Sequence, residues 1–306
     1  MVKVENLIVD YSTGFLGKKA RVLKGVSFDV RDGEIYGFIG PNGAGKTTTF
    51  KSILGFITQT SGSITIFGKS NSDVELKSRI GYLPESPYFY DYLTGKELLE
   101  YMGKLHGIEK SLLNQRIESL LVKVGMYHAK DVQLRKYSKG MLQRIGIAQA
   151  LVNDPDFLIL DEPMSGLDPR GRREIHDLIL EQKDRGKTIL LSSHILSDIE
   201  SLCDRVGVII GGIVVKTGVL AELFREIRTD YEMLLNCDKN MLLTHIDSSR
   251  VSIDERAGFL ILRFDESDKT SLLRTLLDLN AEIVSMYPLR KSLEGLFIEE
   301  SEKTSN

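Results

Sequence analysis

GPNGAGKTT, Gly40 to Thr48, lies between a buried-strand run, EIYGFIG, and a helical run, KTTTFKSIL, that Gly55 stops. It matches G-x-x-x-x-G-K-[ST], and a Gly-rich loop between a strand and a helix is where that pattern has physical meaning. Backbone N–H groups of Gly43, Gly45 and Lys46 can wrap a β-phosphate, helped by the dipole of the helix they open. Lys46 would neutralise β/γ oxygens, Thr47 would ligate Mg²⁺ and Thr48 would reach an α-phosphate. The expected nucleotide contacts therefore run through Gly40, Pro41, Asn42, Gly43, Ala44, Gly45, Lys46, Thr47 and Thr48.

Downstream, strands and helices alternate: FLILD, the helix RGRREIHDLILEQ, the strand TILLSS, a helix from Ile195 and the hairpin RVGVIIGGIVVKTG. That alternation predicts a parallel sheet covered by helices, with ligands gathering at the carboxyl ends of its strands. FLILDEP ends one such strand in adjacent carboxylates. Asp161 is positioned for the Mg²⁺ shell and Glu162 to activate an attacking water. His194 ends TILLSSH on the same edge and is a candidate γ-phosphate contact.

Before the loop, VKVENLIVDY and VLKGVSFDV read as strands, the second closed by the turn RDG. The middle, Pro84 to Val152, reads as mostly helical, with apolar residues at Leu98, Tyr101, Met102 and Leu105. After about residue 220 the pattern changes to YEMLLN, GFLILRF, the helix KTSLLRTLLDLN, AEIVSMY and the helix SLEGLFIEE. These suggest a small α+β unit, joined by a linker at Ala221–Asp230 and ending in a frayed SEKTSN.

With 306 residues and 42% apolar content, the chain is long enough for two domains. A net charge of -3 gives no basic field that would suggest nucleic acid as the main partner. Two cysteines, Cys203 and Cys237, fit a reduced cytosolic setting better than a disulfide framework. The N-terminal MVKVENLIVDY lacks a signal-peptide core, and no apolar run approaches the roughly 20 residues of a membrane helix. Any link to a membrane is expected to come through a partner.

A second phosphate-type element follows a hundred residues after the first. YSKGMLQR, Tyr137 to Arg144, offers Ser138 as an N-cap and Gly140 as a point of close backbone approach, then an apolar-periodic helix. Taken together, GPNGAGKTT, YLPE, YSKGMLQR, FLILDEPMSGLDP and LLSSH resemble the ATP-binding subunit of an ABC transporter. They keep that family's order and spacing over residues 1 to about 220.

The resemblance implies a P-loop ABC-type α/β ATPase core over 1–220, with an N-terminal antiparallel β part and a helical subdomain at about 85–152. A C-terminal accessory α+β domain would occupy 221–306, with a stabilising or dimer-packing role and a regulatory role both open. It implies that Tyr11 stacks on adenine. Glu85 stands where most members have a glutamine; as a carboxylate it can approach Mg²⁺ with Thr47 and Asp161 but cannot donate as an amide does. Tyr137, Lys139 and Met141 depart from the commoner Leu-Ser-Gly-Gly-Gln signature, while Ser138 and Gly140 remain. These departures are similar to the branch serving ABC-2-type exporters and permeases.

In that family two subunits meet head to tail, so YSKGM would close over a nucleotide held by another chain, with Asp168 of SGLD at the seam. The resemblance thus implies MgATP hydrolysis in a homodimer, or a heterodimer with a similar subunit, driving a multi-span membrane permease in export. Location would be cytoplasmic, peripheral on the membrane through the permease. A soluble ABC-type ATPase acting on ribosomes or DNA is the alternative, though the chain has one ATPase half and no heptad run. A non-hydrolysing regulator is opposed by Glu162. YLPESPYFYDYL concentrates aromatics after Glu85, as subdomain core or as a groove for a helix of the membrane subunit.

Overall fold

The computed structural model describes residues 1–13, 18–226, 230–247, 250–256 and 258–289. Contacts divide the chain into two compact units, Met1–Leu220 and Ala221–Asn306.

The first unit begins with β1 (Val2–Thr13) and β2 (Lys18–Val30), then β3 (Ile35–Ile39), α1 (Lys46–Ile53), β4 (Ser61–Ile66) and β5 (Lys69–Ser70). β1 pairs antiparallel with β2 and with β4, giving a four-stranded sheet in the order β2-β1-β4-β5. Next come β6 (Ile80–Leu83) and the helices α2 (Gly95–Leu105), α3 (Lys110–Lys123) and α4 (Lys139–Leu151). β7 (Phe157–Asp161), α5 (Pro169–Asp184), β8 (Thr188–Ser193), α6 (Leu196–Leu202), β9 (Arg205–Ile210) and β10 (Ile213–Val219) follow, and α7 (Leu220–Glu226) starts on the last residue of this unit.

β3, β6, β7, β8 and β9 pair in parallel, and β10 closes one edge antiparallel, in the order β10-β9-β3-β8-β7-β6. β3, β7, β8 and β9 are buried at every position, as a parallel sheet covered on both faces requires. Register then decides the site. Ile39 pairs with Ser193, Asp161 with Ser192 and Leu83 with Leu160, so the segments after β3, β6, β7 and β8 leave the sheet on one edge. α4 lies close over β6, where a Cβ on Gly81 would come 2.0 Å from the Ala150 carbonyl oxygen. Only a glycine admits that approach.

Local signals account for the helix starts. Thr94 and Glu97 form a reciprocal capping box on α2, Ser138 caps α4, and Asp168 caps α5 just before Pro169 at its first turn.

The second unit contains β11 (Asp230–Asn236), α8 (Lys239–Leu243), β12 (Val251–Arg256), β13 (Phe259–Asp265), α9 (Lys269–Asp278) and β14 (Glu282–Leu289). Its antiparallel sheet runs β12-β13-β11-β14, the ferredoxin-like arrangement of a β-α-β-β-α-β chain. Met233, Leu235, Leu262, Phe264 and Leu276 form its own core.

Four expectations need correction or limits. The segment read as a linker contains α7, because Leu220 and Leu223 are buried three residues apart at helical spacing. Residues 56–83 supply three strands, including β6, that the sequence reading passed over. Within α2 Leu98 is buried, but Tyr101 and Leu105 are exposed, and residues 84–94 form no helix. The expected helix SLEGLFIEE and the tail SEKTSN lie outside the described residues.

Candidate functional site

The loop between β3 and α1 is held open by its own backbone. Gly43 and Gly45 have φ of 81° and 111°, and the Ala44 amide donates to the Pro41 carbonyl at 3.1 Å. Around Gly43 nothing lies within 4 Å of where a Cβ would stand, so the loop faces open space there. Lys46 is buried; its Nζ donates to the Gly40 carbonyl at 2.6 Å.

The loop borders a cavity of about 470 Å³ lined by Tyr11, Val22, Pro41, Asn42, Gly43, Gly45, Lys46, Thr47, Thr48, Glu85, Asp161 and Glu162. Gly40 and Ala44 shape the loop without lining that cavity. Tyr11 is partly exposed at its rim and Glu85 is exposed.

Asp161 is fully buried, and each of its carboxylate oxygens has a donor. Thr47 Oγ1 donates to Oδ2 at 2.7 Å and Ser192 Oγ to Oδ1 at 2.5 Å. A buried carboxylate is tolerated only when satisfied in this way. Nearby, burial first and the Asp161 charge second push the Tyr82 phenol well above its ordinary value.

Glu162 stands in the left-handed region, φ 52°, a conformation that costs a non-glycine residue on the order of 1 kcal/mol. The surroundings hold it there. Its N–H donates to Ser192 Oγ at 3.0 Å, and its carbonyl accepts from Gln143 Nε2 and from the Ser165 amide, both at 3.0 Å. Its buried carboxylate meets His194 Nδ1 at 2.7 Å, while the His194 ring remains about half exposed. Because a carboxylate only accepts, Nδ1 carries the hydrogen in this pair.

The structure thus gathers one set of expected residues on one edge and leaves another elsewhere. Ser138 and Gly140 do not line the cavity. Ser138 Oγ accepts from the Met141 amide at 3.2 Å, and a Cβ on Gly140 would stand 3.1 Å from the Gly166 carbonyl. Asp168 is exposed, its Oδ1 accepting from the Gly171 amide at 2.7 Å. Tyr137, a departure from the signature, is buried and donates its hydroxyl to the Ala129 carbonyl at 2.7 Å.

Sequence reasoning missed Ser192 and Gln143. Both lie inside quoted motifs, LLSSH and YSKGMLQR; a hydroxyl at the end of the apolar run Ile189–Leu191 was the available signal for Ser192, while Gln143, between Leu142 and Arg144, gave none.

The donor set suits a nucleotide carrying a small hard cation. Thr47, Asp161 and Glu85 supply oxygen only, and no cluster of three or more His, Cys, Asp or Glu occurs among the described residues. Mg²⁺ is held in just this manner, by one or two carboxylates together with substrate phosphates.

Comparisons with known proteins bear on the family and the fold. The profile of the family described as ABC transporter matches residues 23–165. An ABC transporter ATP-binding protein of Synechocystis sp. is 44% identical over 95% of this chain and 81% of that one. The linearmycin resistance ATP-binding protein of Bacillus subtilis is 31% identical over 99% of both chains. A solved ATP-binding subunit of an ABC transporter superposes with a TM-score of 0.67 and 33% identity, over 74% of this chain and 92% of that one.

Proposed function

We propose a function from one premise: the chain belongs to the family of ABC transporter ATP-binding proteins. It binds and hydrolyses ATP, and the hydrolysis energises transport. The observation that carries the residue roles is the hydrogen-bonded line Thr47–Asp161–Ser192–Glu162, with Lys46, Thr47, Asp161 and Glu162 lining one cavity and His194 bonded to Glu162 from outside that lining.

In this reading Tyr11 stacks on adenine at the rim, and the Gly43–Thr48 backbone receives the phosphates. Lys46 exchanges its bond to the Gly40 carbonyl for β/γ oxygens. Mg²⁺, held by Thr47, Asp161 and Glu85, would neutralise charge on those oxygens. Glu162 takes the proton of the attacking water. The water oxygen bonds to the γ-phosphorus as the β–γ bridging P–O bond breaks, leaving ADP and inorganic phosphate. His194 orients Glu162 through Nδ1–H. A neutral ring then offers only a lone pair at Nε2, so a γ-phosphate contact from this geometry requires the imidazolium.

Ser138 and Gly140, outside the chain's own cavity, close over a nucleotide held by a second subunit, head to tail. A multi-span membrane permease docks on the aromatic stretch after Glu85, where Tyr88, Tyr90 and Tyr92 are exposed. The chain is therefore peripheral on the cytoplasmic face of the membrane. Among its described residues no helix is long and apolar enough to cross one. The relative named for linearmycin resistance supports export. The domain reading, 1–220 as ATPase and 221–306 as accessory, is supported by the separate cores of the two units.

Glu162→Gln tests the assignment. It is expected to keep MgATP binding, to lose hydrolysis by about 10²–10⁴-fold, and to accumulate as an ATP-bound dimer on gel filtration. Near-normal turnover removes Glu162 as the base; an ATP-loaded variant that stays monomeric removes the head-to-tail pairing.

A further inference from the structure

We infer that Gln143 is a positioning residue through which helix α4 sets Glu162 of its own chain. The inference rests on the reading of Ser138 as a contact to the partner subunit's nucleotide.

Besides the Ser165 amide of its own turn, which also binds its carbonyl, the Glu162 peptide has two anchors from other elements. Ser192, which takes its N–H, belongs to β8 and so moves with the sheet. Gln143, which binds its carbonyl, belongs to α4. Gln143 is 1% exposed, and its amide nitrogen also donates to the Pro163 carbonyl at 3.1 Å. Both amide hydrogens are therefore spent on consecutive carbonyls of one turn, where no water competes. That turn holds Glu162 in the left-handed region, φ 52°.

α4 starts immediately after Ser138, its N-cap. From Ser138 to Gln143 is about 7.5 Å of helix, too short a span to absorb a displacement by bending. A shift of the helix start on clasping a phosphate therefore reaches the Glu162 carbonyl. In a head-to-tail pair the clasped nucleotide belongs to one site and the repositioned base to the other. Gln143 thus tells each chain's base whether the opposite site is filled.

Gln143→Met keeps length and volume while removing the donor. Its single-turnover MgATP hydrolysis is to be compared in the wild-type and Glu162→Gln backgrounds. Against wild type the expected change is a rate loss of about tenfold or more with KM within about twofold. In the Glu162→Gln background, where the base is already gone, the loss should be below about twofold. Equal losses in both backgrounds, or a raised KM with an unchanged rate, overturn the inference. Gln143→Glu, of the same shape, is measured in parallel so that poor folding of one variant leaves the other to decide; if neither folds, Gln143 serves stability and the inference falls. The MgATP dependence should be sigmoidal in wild type and hyperbolic in Gln143→Met, and sigmoidality retained by the variant also overturns it. If wild type is itself hyperbolic and Glu162→Gln never dimerises with ATP, the head-to-tail reading has failed and the coupling between sites falls with it. The two-background comparison still decides whether Gln143 holds Glu162.

Discussion

Ser192→Ala removes one oxygen that serves two acids at once. Ser192 is fully buried; its Oγ donates to Asp161 Oδ1 at 2.5 Å and accepts the Glu162 N–H at 3.0 Å. A hydrogen bond to a charged group contributes about 1.5–3 kcal/mol, and a buried N–H left without an acceptor costs about 1–3 kcal/mol. Thr47 still serves the other Asp161 oxygen, so the carboxylate is not stranded. The expected destabilisation is therefore about 3–5 kcal/mol. For a unit of the size of Met1–Leu220 that corresponds to a fall of about 10 °C in Tm. Activity should fall further than stability alone dictates. With its N–H released, the Glu162 peptide can leave the left-handed region, and misplacing a base by about 1 Å can cost about 10²-fold. Urea unfolding followed by circular dichroism gives the first number, and phosphate release below the melting range gives the second. A variant within about 1 kcal/mol of wild type with turnover within about twofold would falsify the claim that Ser192 organises the two acids.

Lys46→Ala and Ser138→Arg should each be inactive as homodimers, the first for want of its phosphate clamp and the second because its signature is filled. Mixed dimers place both lesions in one site and leave the other intact. Random mixing should then restore about a quarter of wild-type sites, less any coupling between them; mixed dimers verified by tag pull-down that stay inactive refute the trans reading. Tyr88→Ala, Tyr90→Ala and Tyr92→Ala together should leave basal ATPase near wild type while abolishing permease co-purification and transport. Retained transport sinks that docking surface. Arg205 donates to buried Glu34 at 3.0 Å and to Asp29 at 3.1 Å, and its hydrogen bond holds the Asp29 carboxyl below the ordinary value. A carboxyl lowered in this way contributes stability above about pH 4 that is lost as pH falls toward its folded value. Arg205→Met should cost about 3 kcal/mol at pH 7 by leaving buried Glu34 with the Arg31 amide but no cation, and should flatten the acid limb of a pH–Tm profile; an unchanged acid limb refutes the Asp29 part.

What the sequence determined by itself was whatever its chemistry needs in consecutive residues. The phosphate loop is legible because its amides and Lys46 must be neighbours in the chain. Asp161 and Glu162 are legible because a single apolar strand delivers them. The apolar runs of β3, β7 and β8 announce a sheet buried on both faces, and the capping residue Ser138 announces its helix. Tertiary structure alone decided which distant segments share an edge. Thr47 meets Asp161 across 114 residues and Ser192 meets Glu162 across 30, and both contacts follow from strand order and register. Short apolar strands do not encode that order, since any of them satisfies the same burial. For the same reason β6 went unread, the bond of His194 Nδ1 to Glu162 went unseen, and Gln143 looked like one more helix residue. Tyr101 and Leu105 show the converse limit: periodicity marks a face as apolar, but which apolar residues are covered depends on neighbours that only the folded chain supplies.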